Sequence, residues 1–245
     1  MSRDDRDLLL KTKVLMPEWL WRICTRPVAW VLTALPEKFK YKNGLQKRIQ
    51  RHPYSLIGND DVVFQIGCPS DLLKVGRSRA GYFAHLISGN GKLVIMEPDT
   101  INCDAFEKFA QRNGFADRVI VIPKGGWNKE TRLGFFQSRK HPASAVVVEC
   151  NPATSAEMNR RGYTEIEVPV TTIEAVLKEH NLPTPKLISI TTNGSEEQIL
   201  AGMGDTRPEY LSVKFEEGGF DDHMKELGYS FIADDDRGYT YKLDA

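Results

Sequence analysis

Cysteine is scarce and scattered: Cys24, Cys68, Cys103 and Cys150 lie far apart in a chain of 245 residues. No C-x-x-C pair occurs, so neither a zinc site nor a disulfide framework is indicated. The pattern suits a reducing, cytoplasmic compartment. Net charge is also missing, because 33 basic residues balance 33 acidic ones. That argues against nucleic-acid binding through bulk charge. A membrane-spanning run is lacking as well. The longest uncharged run near the N-terminus, Pro27 to Pro36, is about half of the ~20 residues a spanning helix needs. The apolar stretch Leu8 to Leu35 is broken by Lys11, Lys13, Arg22 and Arg26, and no small-residue cleavage site follows, which excludes a signal peptide. A strict G-x-G-x-x-G is absent, which disfavours a nicotinamide enzyme. There is no internal repeat and no low-complexity tract.

The charge balance conceals an asymmetry. Residues 1–52 carry a net charge of about +7 and the remainder about −7. Pro17 and Pro27 each suit the first turn of a short helix. Val28, Val31, Leu32 and Leu35 share one face, Trp19, Trp21 and Trp30 add bulk, and Lys38, Lys40, Lys42, Lys47, Arg48 and Arg51 follow. Two readings of residues 8–51 stand. One is an interfacial membrane anchor. The other is a helical cap packed on the domain or on a second subunit.

What organises the rest is Asp60 to Asp99. Val62–Ile66 is an apolar run too short and too β-branched for a helix, and Gly67 ends it. A polar loop follows, then a helix from Ala80 to Ile87, the breaker Gly89-Asn90-Gly91, and a second apolar run, Leu93–Met96. That run ends on Glu97-Pro98-Asp99. Strand, Gly loop, helix, strand and acid make a βαβ nucleotide-binding unit. Gly67 lets backbone approach a ligand, the helix N-terminus offers free N–H groups, and the Glu97 carboxylate can accept from both ribose hydroxyls.

Downstream, Asn102–Asn113 reads as a helix with Phe106, Phe109 and Ala110 inward and Gly114 as C-cap. Arg118–Ile122 is a third strand, followed by Lys124-Gly125-Gly126-Trp127. Ala145–Val148 is a fourth apolar run, ending at Glu149. Thr164–Thr171 alternates, with Pro169 demoting it toward an edge, and these two runs are expected to form a hairpin. Thr172–His180 is a helix, Leu187–Thr191 a buried strand, and Ser195 opens a helix with Gln198 at capping-box spacing. Tyr210–Phe215, a helix near Asp221–Leu227, and the hairpin Tyr229–Ile232 with Tyr239–Leu243 complete the sheet. The expected architecture is a three-layer α/β domain with a mostly parallel sheet and an antiparallel C-terminal edge strand.

Three blocks resemble the FkbM-type methyltransferases, which use S-adenosylmethionine and mostly methylate hydroxyls of sugars and related metabolites. The first is Val62–Gly67 with Gly81-Tyr82-Phe83 and Leu93–Pro98, similar to a strand, D-V-G-A-N-x-G-Y-F, and a strand ending F-E-P. The second is Val168–Glu174, similar to V-x-T-L-D. The third is Leu187–Glu196, similar to L-I-K-I-D-V-E-G-A-E, with Leu200-Ala201-Gly202 matching L-x-G. The blocks fall in the family's order and cover roughly residues 57–245. Gln65 stands where the family has its first aspartate, about ten extra residues sit in the first loop, and Thr191 and Asn193 replace an aspartate and a glutamate.

The resemblance implies a Rossmann-like methyltransferase domain over residues 53–245 behind a basic, amphipathic helical extension, residues 1–52. It implies S-adenosylmethionine as cofactor, held by Gln65, Gly67, Gly81, Glu97, Asp99, Lys124, Gly125, Gly126, Thr191 and Asn193. An alcohol acceptor must also lose a proton, normally to a His or a carboxylate. Glu149, Glu196 and His223 are the candidates. The expected activity is O-methyl transfer to a glycan, glycolipid or related metabolite. The alternative is a weak or inactive cofactor-binding module at a membrane. Lys74, Arg77 and Arg79 in and beside the inserted loop suggest a phosphorylated or lipid-linked acceptor; pairing of those arginines with nearby acids is the competing reading.

Overall fold

A computed structural model gives the fold, and the structure describes residues 44–69, 79–138, 152–214 and 221–244. The helices expected over residues 8–35, Asp71, Lys74 and Arg77 of the inserted loop, and the run 145–148 with Glu149 lie outside those residues. The strands are β1 (Val62–Ile66), β2 (Lys92–Met96), β3 (Val119–Ile122), β4 (Gly125–Gly126), β5 (Thr131–Gln137), β6 (Thr164–Thr171), β7 (Leu187–Ile190), β8 (Tyr210–Val213), β9 (Tyr229–Asp234) and β10 (Tyr239–Leu243). The helices are α1 (Arg79–Leu86), α2 (Thr100–Asn113), α3 (Pro152–Arg160), α4 (Ile173–Glu179), α5 (Glu196–Ala201) and α6 (Asp221–Glu226).

Seven strands form one sheet in the order β3-β2-β1-β7-β8-β10-β9. β3, β2, β1, β7 and β8 pair in parallel. The antiparallel C-terminal hairpin sits at one edge, with β10 inserted between β8 and β9 and antiparallel to both. β9 therefore runs in the direction of β8, and the β9–β10 turn emerges at the carboxyl edge of the sheet. A second sheet, β4-β6-β5, lies apart.

Alternation along the strands separates two faces. Val62, Phe64 and Ile66 join Val94, Met96, Ile188, Ile190, Leu211 and Val213 in one core, closed by Ile173, Val176 and Leu177 of α4 and Ile199 and Leu200 of α5. Thr172 caps α4 by accepting from Ala175 N–H at 3.0 Å. α2 opens on Asp99, which accepts from Ile101 N–H at 2.9 Å, and closes on Gly114 in the left-handed region, at φ +73°.

The expected hairpin partner of β6 is corrected. β6 pairs antiparallel from Thr164 to Val170 with β5, whose T-R-L-G-F-F-Q has no clean alternation and announces no strand in the sequence. Between them in sequence lies α3, begun by Pro152, in place of a polar hairpin tip. Pro169 does not make β6 an edge strand: β4 adds on its other side at Val170 and Thr171, one residue past the missing N–H. The Ser195–Gln198 capping box is also corrected, since the Ser195 side chain makes no capping bond.

The opposite face of the large sheet carries a polar row. Gln65 is in register with Ser189, Ser189 with Ser212, and Ser212 with Thr240. The first residue of α1, Arg79, is 2% exposed and fills that row. Its guanidinium donates to Ser189 Oγ at 3.2 Å, to Ser212 Oγ, to Asp235, and to Asp236 Oδ1 at 2.7 Å and 3.0 Å. Ser212 and Thr240 hydroxyls donate to the other Asp235 oxygen at 2.7 Å and 3.0 Å. Tyr54 donates to Asp236 at 2.9 Å, and Arg48 lies 3.5 Å from the same carboxylate and over the Tyr82 ring. Thus Arg48, one of six residues in the expected basic face, is drawn into the domain.

Removing one partner of a buried ion pair leaves an uncompensated charge. Arg79→Ala is expected to cost about 3–5 kcal/mol. Arg132→Ala, which loses only the exposed pair with Glu167, is expected to cost less than about 1 kcal/mol. Urea unfolding of both variants at equal slope checks the contrast.

Candidate functional site

The parallel strands β1, β2 and β7 end together, and their last residues build a cradle. Gly67 leaves β1 at φ +83°, a backbone region L side chains avoid. A Cβ there would stand 3.0 Å from Thr191 O, so glycine is required both by conformation and by the closeness of β7. Gly67 N–H donates to Met96 O at 3.0 Å, tying the turn to the end of β2.

Beside it, Gln65 is 1% exposed. Its Nε2 donates to Thr191 Oγ1 at 2.8 Å, Gly67 O at 2.9 Å and Ile66 O at 3.1 Å. Those carbonyl partners fix the amide's orientation, because only the NH2 side can serve them. The Thr191 hydroxyl donates onward to Gly67 O at 3.1 Å. Gln65 Oε1 is buried with no hydrogen-bond partner among the described residues. A buried acceptor left unmade costs about 1–3 kcal/mol, so this atom marks a place where a donor group completes the site.

Glu97 follows β2 and is 6% exposed. Its carboxylate accepts from Cys68 N–H at 2.6 Å and Asp99 N–H at 3.0 Å. Burial pushes its pKa from the ordinary 4.5 up to about 7, against the opposing pull of those two N–H groups and Asn102. Asp99 is buried, and its Oδ1 both caps α2 and accepts from Gln137 Nε2 at 2.7 Å. Cys103, whose thiol donates to Glu97 O at 3.2 Å, is pushed up to about 12 by burial and is no nucleophile.

The Lys124-Gly125-Gly126 turn reaches the same place. A Cβ on Gly125 would stand 3.6 Å from Pro98, and one on Gly126 would stand 3.1 Å from Ile66 Cγ2. Lys124 Nζ is 4.0 Å from Glu130. Gly81 is buried in the first turn of α1. The structure therefore gathers Gln65, Gly67, Glu97, Asp99, Gly125, Gly126 and Thr191. Asn193 lies farther out, exposed, accepting from Lys214 Nζ at 2.5 Å.

The proton-acceptor candidates do not converge. Glu196 is buried and closes its own turn, accepting from Gly194 N–H at 2.8 Å and Thr192 Oγ1 at 3.0 Å. Its two oxygens serve the entry to α5, which accounts for its placement without a catalytic role. His223 sits on α6 with Nδ1 3.8 Å from Glu226. Met224 beside it joins the core together with Tyr229 of β9, the strand four places from β1. At about 4.8 Å per strand, that is roughly 19 Å from the cradle, so distance removes His223 from the site. Glu149 lies outside the described residues. Arg79 is likewise corrected: its guanidinium is spent on Asp235 and Asp236, two acids from the far hairpin rather than from the loop.

Sequence reading missed Ser189, Ser212 and Thr240, although Ser189 and Ser212 are small hydroxyls in otherwise apolar or aromatic strands. It also missed Lys214 and Arg237, which have no motif around them.

The raised pKa of Glu97 has a fixed sign for stability. The folded state keeps a proton that the unfolded chain releases, so Glu97's contribution is full below about pH 4.5 and is lost as pH rises through about 7. The unfolding free energy of the wild type minus that of Glu97→Gln should fall between pH 5 and pH 7.5. A difference independent of pH would contradict the buried, raised carboxyl.

Residues 66–241 match the family described as Methyltransferase FkbM domain. No curated protein sequence matches the chain. Among solved structures, a methyltransferase FkbM from Methylobacillus flagellatus KT is similar at 14% identity and a TM-score of 0.49, covering 76% of this chain; this chain spans 44% of that one. A methyltransferase from Geobacter sulfurreducens is similar at 14% identity and a TM-score of 0.44, with 90% and 96% of the two chains covered. Aeropyrum pernix fibrillarin, solved with S-adenosyl-L-methionine bound, is similar at 7% identity and a TM-score of 0.46, with 83% and 74% covered. Because the family match runs through most of the chain, from the end of β1 to β10, this chain belongs to the FkbM methyltransferase domain family.

Proposed function

We propose that this chain transfers a methyl group from S-adenosylmethionine to a hydroxyl of a glycan, glycolipid or related metabolite. The observation that carries the donor half is the pair of acceptors at adjacent strand ends: the orphaned Gln65 Oε1 and the buried Glu97 carboxylate. Such a donor brings an ammonium group and a ribose diol, both hydrogen-bond donors, and these two acceptors suit them. Gly67 and Gly125 have no room for a Cβ beyond contact with Thr191 and with Val170 and Pro98, so the backbone at the cradle is closely packed.

The bound cofactor would supply an activated methyl on a sulfonium. The residues' task is therefore orientation and exclusion of water. Glu97, held from behind by two N–H groups, is a rigid acceptor. Gln65, pinned through its amide by Thr191 and two carbonyls, presents its oxygen without choice of rotamer. A neutral amide here avoids a second buried charge next to Glu97, which burial already penalises.

A second reading, a weak or inactive cofactor-binding module, is favoured by one observation: Glu196 is consumed by its own turn. Methyl-transfer assays that follow donor consumption, set beside donor affinity, separate the two. Tight binding without turnover on any glycan or metabolite acceptor would favour the module.

Peripheral contact of residues 8–51 with an anionic, cytoplasmic membrane face belongs to the same proposal. Each basic residue near such a surface contributes about 1 kcal/mol. No helix of the described residues is long and apolar enough to cross a membrane. Flotation of the full chain, but not of a chain begun at His52, on anionic vesicles at low salt is the expected result; equal failure of both refutes it.

Calorimetric titration tests the donor assignment. Wild type should bind S-adenosylmethionine and not NAD. Glu97→Ala should weaken binding by at least about tenfold, since each hydrogen bond to a charged group contributes about 1.5–3 kcal/mol. Unchanged affinity in that variant would refute the assignment.

A further inference from the structure

The carboxyl edge carries more positive charge than its own acids satisfy. Three guanidinium groups, Arg48, Arg79 and Arg237, surround two carboxylates, Asp235 and Asp236. Arg79 takes both. Asp235 also accepts from the backbone N–H groups of Arg237 and Gly238 at 2.7 Å and 2.8 Å, and from Ser212 and Thr240. Asp236 serves Tyr54 and Arg48 besides. Among the described residues no carboxylate hydrogen-bonds the Arg237 side chain, although Asp236 attracts it, and its Nη2 is buried with no hydrogen-bond partner there. Burial first, and then the neighbouring Arg79 and Arg48 charges, hold its pKa below the usual arginine value against the pull of Asp236.

A second cation stands beside it. The β9–β10 turn packs on the end of β8 so closely that a Cβ on Gly238 would stand 2.7 Å from Lys214 Cα. Arg237 precedes that glycine, so its backbone adjoins Lys214, while its guanidinium lies within the field of Asp236, Arg79, Tyr54 and Arg48. Lys214 in turn donates to Asn193 Oδ1 at 2.5 Å and Thr192 O at 3.4 Å, both neutral. Among the described residues, Lys214 has no carboxylate partner and Arg237 has a spare donor. A buried charged donor is costly to leave unmade, and an unmet one calls for a partner.

We propose that Lys214 and Arg237 form the seat of an anionic group on the acceptor, a phosphate or a carboxylate. This rests on the methyltransferase reading above. A guanidinium offers paired donors to two anion oxygens, and an ammonium adds a point charge. β8 stands two strands from β1, about 10 Å across the sheet. The anion is therefore a handle rather than the methylated atom, and a hydroxyl elsewhere on the same molecule faces the donor. The hydroxyl oxygen gains the methyl, the sulfonium becomes a neutral thioether, and the hydroxyl proton leaves to solvent or a base.

The probes are glucose 1-phosphate, glucuronic acid and glucose, titrated into full-length protein loaded with S-adenosylhomocysteine. Wild type should bind one charged sugar at least about tenfold more tightly than glucose, as charge-assisted bonds require. Which one it prefers tells phosphate from carboxylate. Lys214→Gln and Arg237→Met should each abolish that preference while affinity for S-adenosylhomocysteine stays within about twofold. Lys214 is half-buried at the end of β8, so its variant remains informative if Arg237→Met fails to fold. Equal binding of charged and neutral sugars by wild type, no binding of any, or a preference that survives both substitutions overturns the proposal. Failure of S-adenosylhomocysteine to bind wild type counts against the donor reading instead, and the sugar comparison is then read on the unliganded protein.

Discussion

One buried positive charge organises this domain. Arg79 opens α1, yet its guanidinium lies under the sheet among hydroxyls of β7 and β8 and two carboxylates from the last hairpin. A charge so placed is tolerable only with near-complete pairing. That demand explains several otherwise separate features. Ser189 and Ser212 are small hydroxyls in strands that are otherwise apolar or aromatic. The hairpin turn carries consecutive acids. Tyr54 is buried with its hydroxyl on Asp236, and the burial and that carboxylate raise its pKa. The start of α1 is thereby fixed in space.

Gly67, Gln65 and Thr191 form one hydrogen-bonded knot where β1 meets β7, and Glu97 ties the next strand to Cys68. The knot is neutral where the family's pattern places acids. A Gln–Thr pair satisfies its own donors inward and leaves one acceptor outward, whereas two carboxylates beside Glu97 would repel one another. The neutral pair leaves the cradle able to receive a hydrogen-bond donor.

The fold was largely legible because its signals are local. The β1-α1-β2 unit, α2 with Gly114 as its cap, α4 with Thr172, and the closing hairpin all announce themselves through short apolar runs and turn residues. β5 was not legible: Gly134 and Arg132 interrupt its pattern, and it gains its identity only by pairing with β6. Glu97 and Gly67 were readable as site residues since their position at strand ends follows from order alone. The contacts of Glu196 were not legible because a carboxylate's partners depend on a turn whose left-handed residue, Gly194 at φ +90°, brings its own N–H to the side chain. Arg79 was misread as a ligand-binding group because its partners are about 156 residues away, and no local pattern encodes a contact of that range.

The central claim is that a donor molecule sits where β1, β2 and β4 end. Backbone amide NMR during titration with S-adenosylhomocysteine tests it most directly. The largest shifts should fall on Gly67, Cys68, Asp99 and Gly125, with β9 and α6 undisturbed. Saturating ligand that leaves those four amides unmoved, or that perturbs the β9 edge instead, would contradict it.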